Sequence, residues 1–210
     1  MTLKLYAFPT PNGLKVSVLL ELLGLKYEYH SVDIRTNVQK EDWFLALNPN
    51  GRIPTLVDSS TNTTLSESGA ILQYLVDTYD KEHKFSYPYG SSLYYKQLEV
   101  LLFQMAGVGP MQGQFGHFSI FAQEKVPYGI ERYGAETKRL YSVVELYLER
   151  NKENGLYLVG DRVTIADIAI FTWARGLERL GVDIKQWPLV SKWFDSIDAL
   201  PEVQKGLNPV

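Results

Sequence analysis

Hydrophobic periodicity changes once along this chain of 210 residues, close to residue 80. Before that point short alternating and helical segments take turns; after it every patterned segment has helical spacing. Residues 3–8 alternate as a short strand and run into Pro9-Thr10-Pro11-Asn12-Gly13, where two prolines withhold ladder donors. Asn12 is the expected N-cap of a helix over 14–23, with Leu14, Val18, Leu19 and Leu22 at helical spacing and Gly24 as its stop. Residues 27–34 read as a second strand, and 38–47 as a short helix with Trp43 and Phe44 inward. A third strand over 52–57 carries Pro54, and a brief fourth spans 63–65. Ser66 is the expected cap of a helix over 67–79 whose Ile71, Leu72, Leu75 and Val76 share a face. The order β-α-β-α-β-β-α predicts a thioredoxin-like α/β domain over residues 1–80.

Residues 81–91 are polar, contain Pro88 and Gly90, and show no period, so they are the expected linker. Helical spacing then fills 93–105, 111–123, 128–151, 165–180 and 189–199, which predicts an all-helical domain over 92–210. Gly107-Val108-Gly109-Pro110 is expected to break or kink the first of these helices. Thr164-Ile165-Ala166-Asp167 has the form of a capping box ahead of an apolar helix.

Composition narrows the chemistry. The chain has no cysteine, which excludes disulfides, thiolate metal sites, iron–sulfur clusters and a protein-borne thiol nucleophile. Net charge is −3, and no Lys/Arg run marks a nucleic-acid surface. No apolar stretch approaches about 18 residues, and Met1 leads directly into the first strand, so a cytoplasmic protein without membrane insertion is expected. His30, His83 and His117 are scattered, so no metal is expected; no phosphate loop or dinucleotide fingerprint is present.

Three strings then stand in a telling order: Asn48-Pro49-Asn50-Gly51-Arg52-Ile53-Pro54, Leu65-Ser66-Glu67-Ser68-Gly69-Ala70-Ile71, and Val163-Thr164-Ile165-Ala166-Asp167. With the domain order they resemble the cytosolic glutathione transferases over nearly the whole chain. Thr10-Pro11-Asn12-Gly13, Gly109-Pro110-Met111-Gln112-Gly113-Gln114 and Ile130-Glu131-Arg132-Tyr133 narrow the resemblance. They are similar to the nu class of bacterial enzymes and to the fungal branch that includes the nitrogen-regulator prion protein. The Asn-rich tail of that regulator is expected to be absent here.

The resemblance implies a glutathione site in the first domain. Glu67 and Ser68 stand in the first turn of a helix, where unpaired N–H groups and the positive dipole end receive an anion. Ser68 would hold the γ-glutamyl carboxylate and Glu67 the neighbouring ammonium, although both residue types also favour helix starts for stability alone. Ile53, before a proline that is cis in the family, would pair its backbone with the cysteinyl unit, while Arg52 and Gln39 would contact the glycyl carboxylate. A surface role is the simpler alternative for both side chains.

The resemblance also implies that Thr10, through its hydroxyl, and Asn12, through its amide or backbone N–H, would act on the glutathione thiol. A free thiol has a pKa of about 8.5, so a largely ionised one at neutral pH needs a depression of roughly two units, about 2.7 kcal/mol. A helix start contributes about 0.3–1 kcal/mol, and one hydrogen bond to a charged acceptor about 1.5–3 kcal/mol. A hydroxyl plus a main-chain N–H therefore suffices without a general base. Pro11 stands where other classes carry Ser or Cys, and mid-strand Tyr6 ranks behind Thr10 and Asn12 as a tyrosine-type activator.

Arg132 matches an arginine that reaches the glutathione site from the partner subunit in the nu class; an i, i+4 surface ion pair is its rival. The segment 111–121, rich in aromatics, would line the second-substrate pocket. The expected protein is a homodimeric glutathione transferase or glutathione-dependent disulfide-bond oxidoreductase acting on an electrophile or a disulfide. A non-catalytic regulatory or protein-interaction module of the same fold is the alternative.

Overall fold

The computed structural model describes residues 3–209, which form two compact units. One comprises the residues up to Glu82 together with those from Asp198 on; the other spans His83–Ile197.

The first unit is built on a four-stranded sheet of order β2-β1-β3-β4, with β1 Leu3–Ala7, β2 Tyr27–Ser31, β3 Thr55–Asp58 and β4 Thr63–Ser66. β1 and β2 are parallel, and the other two pairings are antiparallel. The parallel pair is joined through helix α1 (Pro11–Leu22), the crossover connection that parallel neighbours require. Alternation along β1 gives the sheet its two faces. Leu3, Leu5 and Ala7 are fully buried, whereas Tyr6 stacks on His30 at 4.6 Å on the other face. Helix α3 (Ser68–Tyr79) buries Ile71, Leu72, Leu75 and Val76, the face its spacing predicts.

Several local readings differ from the sequence expectation. α1 begins three residues early, because Thr10 and not Asn12 is its cap: Thr10 Oγ1 accepts from Gly13 N at 3.3 Å, and Pro11 opens the helix. Residues 38–47 split into a 3-10 turn, Val38–Lys40, and helix α2, Asp42–Leu47. Phe44 is buried there, but Trp43 is 45% exposed, its indole N–H donating to Glu41 Oε2 at 2.8 Å. Residues 52–54 lie outside the ladder of β3, with Ile53–Pro54 in the cis form that the resemblance implies.

The first unit is completed from the other end of the chain. Helix α9, Pro201–Gly206, lies against α1, and Ser17 Oγ donates to Gly206 O at 2.6 Å. A Cβ on Gly206 would come 2.4 Å from Val18 Cα, so only glycine permits this backbone approach. Residues 201–206, which the sequence reading set in the helical domain, thus pack against the α/β unit.

The second unit contains α4 (Ser92–Phe103), α5 (Gly109–Gly116), α6 (Pro127–Asn151), α7 (Ile165–Ala174) and α8 (Pro188–Asp198). Gly107 and Pro110 do not break the chain; a π-helical turn at Gln104–Val108 carries α4 into α5, and another spans His117–Phe121. The capping box is present, and Asp167 does more than cap. Its carboxylate accepts from Thr164 N (2.9 Å), Thr164 Oγ1 (2.8 Å), Leu158 N (2.9 Å) and Trp193 Nε1 (2.9 Å), all out of water. Residues 83–91 are a strap and not a free linker. Buried Tyr87 Oη receives Asp161 N at 3.0 Å, and Arg162 Nη1 donates to His83 O at 2.8 Å.

Candidate functional site

Strand register brings the chemically interesting residues of the first unit to one end of its sheet. β1 ends at Ala7, β3 begins opposite Tyr6 with Thr55, and β4 ends opposite Thr55 with Ser66. The start of α1, the cis Ile53–Pro54 segment and the start of α3 consequently share that edge. Two helix N-termini, each the positive end of a helix dipole, are thereby placed together.

At the first, Thr10 is half-buried. Its oxygen accepts from Gly13 N, an arrangement that leaves the hydroxyl proton for a different acceptor. Asn12 stands in the same first turn. Gly13 is required by proximity: a Cβ there would meet Phe8 O at 2.2 Å.

At the second, Glu67 precedes the helix with φ 69°, ψ 110°, a left-handed conformation that a non-glycine residue adopts at a cost of order 1–3 kcal/mol. The cap expected from Ser66 is missing; Glu67 occupies the N-cap position without a side-chain cap bond and keeps its carboxylate exposed. Ser68 is buried, its hydroxyl accepting from Lys15 Nζ at 3.2 Å.

Lys15 is the residue that sequence reasoning missed. It lies on α1 with no exposed surface, and burial pushes its ammonium down to about 7 while Glu67 opposes the shift. A signal was present: residues 14–20 offer one lysine and one serine among five aliphatic residues, so the helix has no solvated face on which a lysine could lie.

Ile53 stands ahead of β3, and its backbone N–H and C=O meet no partner among the described residues. Arg52 is exposed, its carbonyl held by Asn48 Nδ2 at 2.7 Å; Asn48 Oδ1 also accepts from Asn50 N. Gln39 is turned inward, nine-tenths buried, with Nε2 donating to Ile34 O at 3.3 Å and Oε1 unpartnered. That placement spends its donor on the 34–39 loop and removes it from the exposed pair with Arg52 that the sequence suggested. Tyr6, held between His30 and Trp43, is a packing residue.

In the second unit Arg132 is exposed on α6 and lines a cleft of about 560 Å³ with Met111, Tyr128, Tyr133 and Arg139. The rival ion pair is not formed: Glu136, four residues on, gives both carboxylate oxygens to Arg139 at 2.8 Å. Among the described residues no cluster of three or more His, Asp or Glu side chains is suited to a metal, and no helix is long and apolar enough to cross a membrane.

Comparison with known proteins identifies a family for both parts of the chain. A family model for the N-terminal domain of glutathione S-transferases matches residues 1–77, and one for the C-terminal domain matches residues 110–201. A glutathione transferase homologue from Lodderomyces elongisporus, crystallised with two glutathiones per subunit, is 58% identical, with both chains covered completely and a TM-score of 0.97. The disulfide-bond oxidoreductase YfcG of Escherichia coli is 37% identical over 97% of this chain and 93% of its own. The glutathione S-transferase-like protein tpcF of Aspergillus fumigatus is 38% identical over 95% and 92%.

Proposed function

The chain belongs to the glutathione S-transferase family, and from that premise we propose that it binds glutathione at the shared edge of its sheet and uses the peptide's sulfur as the nucleophile. One observation carries the reading: the starts of α1 and α3 are brought together with cis-Pro54 between them, and Glu67 is held in a left-handed conformation beside the second. The γ-glutamyl carboxylate takes the start of α3 through Ser68, and the ammonium meets exposed Glu67. Ile53 pairs with the cysteinyl backbone in the manner of an added strand. Arg52 faces the glycyl carboxylate, and Gln39 supports the loop from within.

Thr10 Oγ1 donates to the sulfur while accepting from Gly13 N, and Asn12 contributes from the same turn. The chain itself has no thiol, so glutathione supplies all of the sulfur. In conjugation the thiolate forms a carbon–sulfur bond as the leaving group departs with its electron pair. In disulfide reduction the thiolate attacks one sulfur of RSSR, forming a glutathione mixed disulfide and releasing RS⁻. A second glutathione thiolate then releases the other RS⁻ as glutathione disulfide forms.

We favour disulfide reduction as the principal activity; the likeness to YfcG and to a homologue crystallised with two glutathiones supports it. The working form is a homodimer in the cytoplasm. The test is turnover of a small organic disulfide against an aryl halide at matched glutathione. Faster disulfide reduction is expected; conjugation without reduction reverses the order. Failure of glutathione to bind at all leaves the fold serving as a non-catalytic module.

A further inference from the structure

Ser68 has a neighbour that the catalytic scheme leaves unused. Lys15 reaches it from α1, with Nζ 3.2 Å from the hydroxyl oxygen and no side-chain surface in water. Lysine is almost never fully buried unless paired, because desolvating an ammonium costs several kcal/mol, and a partner here is the hydroxyl that the glutathione reading gives to a carboxylate. Here the charge is set behind the first turn of α3, the place where an anion is received.

We propose that Lys15 is a positioning residue for the glutathione carboxylate: its ammonium donates to Ser68 Oγ, turns the hydroxyl proton toward the bound carboxylate, and adds a buried positive charge behind the start of α3. The inference rests on the glutathione-binding reading given above. An ammonium that donates to a serine oxygen polarises the hydroxyl and strengthens the bond it donates to a carboxylate. Lysine serves here as a charge behind the hydroxyl; it is not itself a direct ligand of the peptide.

The arrangement makes binding sensitive to pH. Burial lowers the Lys15 ammonium to about 7, and Glu67 is the charged group that opposes the shift. Glu202 of α9 is exposed, and the other titratable groups on elements packed against α1 are engaged elsewhere. Lys4 of β1 pairs with Glu28, and Tyr6 stacks on His30. On α3, Tyr74 and Tyr79 donate to Asp58, and Asp77 accepts from Gln73. Lys205 of α9 pairs with Glu21. An arriving carboxylate favours the charged form of Lys15, so above neutrality binding draws a proton from solution.

The probe is S-methylglutathione, whose thioether has no thiol proton to release. Calorimetry in buffers of different ionisation enthalpy counts the protons exchanged. Wild type is expected to take up roughly half a proton or more per site at pH about 7.5 and little at pH about 6. Lys15→Met is expected to bind about tenfold more weakly at the lower pH, to lose the uptake, and to show its defect in KM for glutathione and not in kcat. Lys15→Arg, charged throughout, keeps the affinity and loses the uptake. No proton uptake by wild type, or Lys15→Met with wild-type affinity and uptake, overturns the proposal while leaving the glutathione site intact. Wild type that does not bind the probe overturns both. If neither variant folds, wild-type uptake decides the matter.

Discussion

At the scale of single residues the proposed chemistry is concentrated in Thr10. It caps α1 through its oxygen, and in the proposed reaction it holds the thiolate through its proton. Thr10→Val removes both functions and Thr10→Ser keeps both. The valine variant is expected to lose on the order of tenfold to a hundredfold in kcat/KM and about 1 kcal/mol of stability through the lost cap. Titration of thiolate absorbance separates the two effects. The apparent pKa of bound glutathione should rise in Thr10→Val and stay near wild type in Thr10→Ser. An unmoved pKa in the valine variant removes Thr10 from the activation of sulfur.

At the scale of elements, Asp58 fastens the end of β3 to the turn that follows and to α3. It accepts from Ser60 N (2.9 Å), Ser60 Oγ (2.6 Å), Tyr74 Oη (2.7 Å) and the Tyr79 hydroxyl. Burial alone would raise its pKa, but the hydrogen bonds outweigh burial and hold it at about 2. The unfolded chain binds this proton more tightly. The stabilisation is therefore complete above pH about 4 and is lost as pH falls through 2, a loss of about 2 kcal/mol in all. Asp58→Asn is expected to be less stable by that order at neutral pH and to converge on wild type in acid. Urea unfolding across the acid range reads this directly; parallel curves for the two proteins would refute it.

The same scale shows what the chain discloses to a reader of its sequence. α3 and the capping box at Thr164 were legible because their signals are local: four apolar residues at helical spacing, and a threonine three residues before an aspartate. The cap of α1 was not, since Thr10 and Asn12 are both good capping types and the helix opens at Pro11, which lies between them. Trp43 went outward because its indole finds Glu41 in solvent while Phe44 alone fills the core position. The site residues were named through family likeness. Their assembly depends on strand register, and the burial of Lys15 on tertiary packing. Neither is written in any short window.

At the scale of the whole molecule the open question is assembly. If Arg132 acts across a two-fold interface, Arg132→Ala should lower glutathione turnover with the fold retained, and mixing should reveal its origin. A hybrid of an Arg132→Ala subunit with a Thr10→Val subunit contains one intact site. Subunit exchange between the two impaired variants is therefore expected to restore about a quarter of wild-type activity, because half of random pairs are hybrids. Sedimentation checks that the dimer is present. A mixture no more active than its parents places Arg132 outside the partner's site.

The closure of the first unit by α9 bears on how the protein is made. On a translating ribosome the strands and first helices of the α/β unit emerge before the helical unit, with the backbone of α1 around Val18 still uncovered. The whole helical unit must follow before Gly206 arrives to seal it. The nascent chain therefore carries an incomplete α/β unit while the whole helical unit is being made.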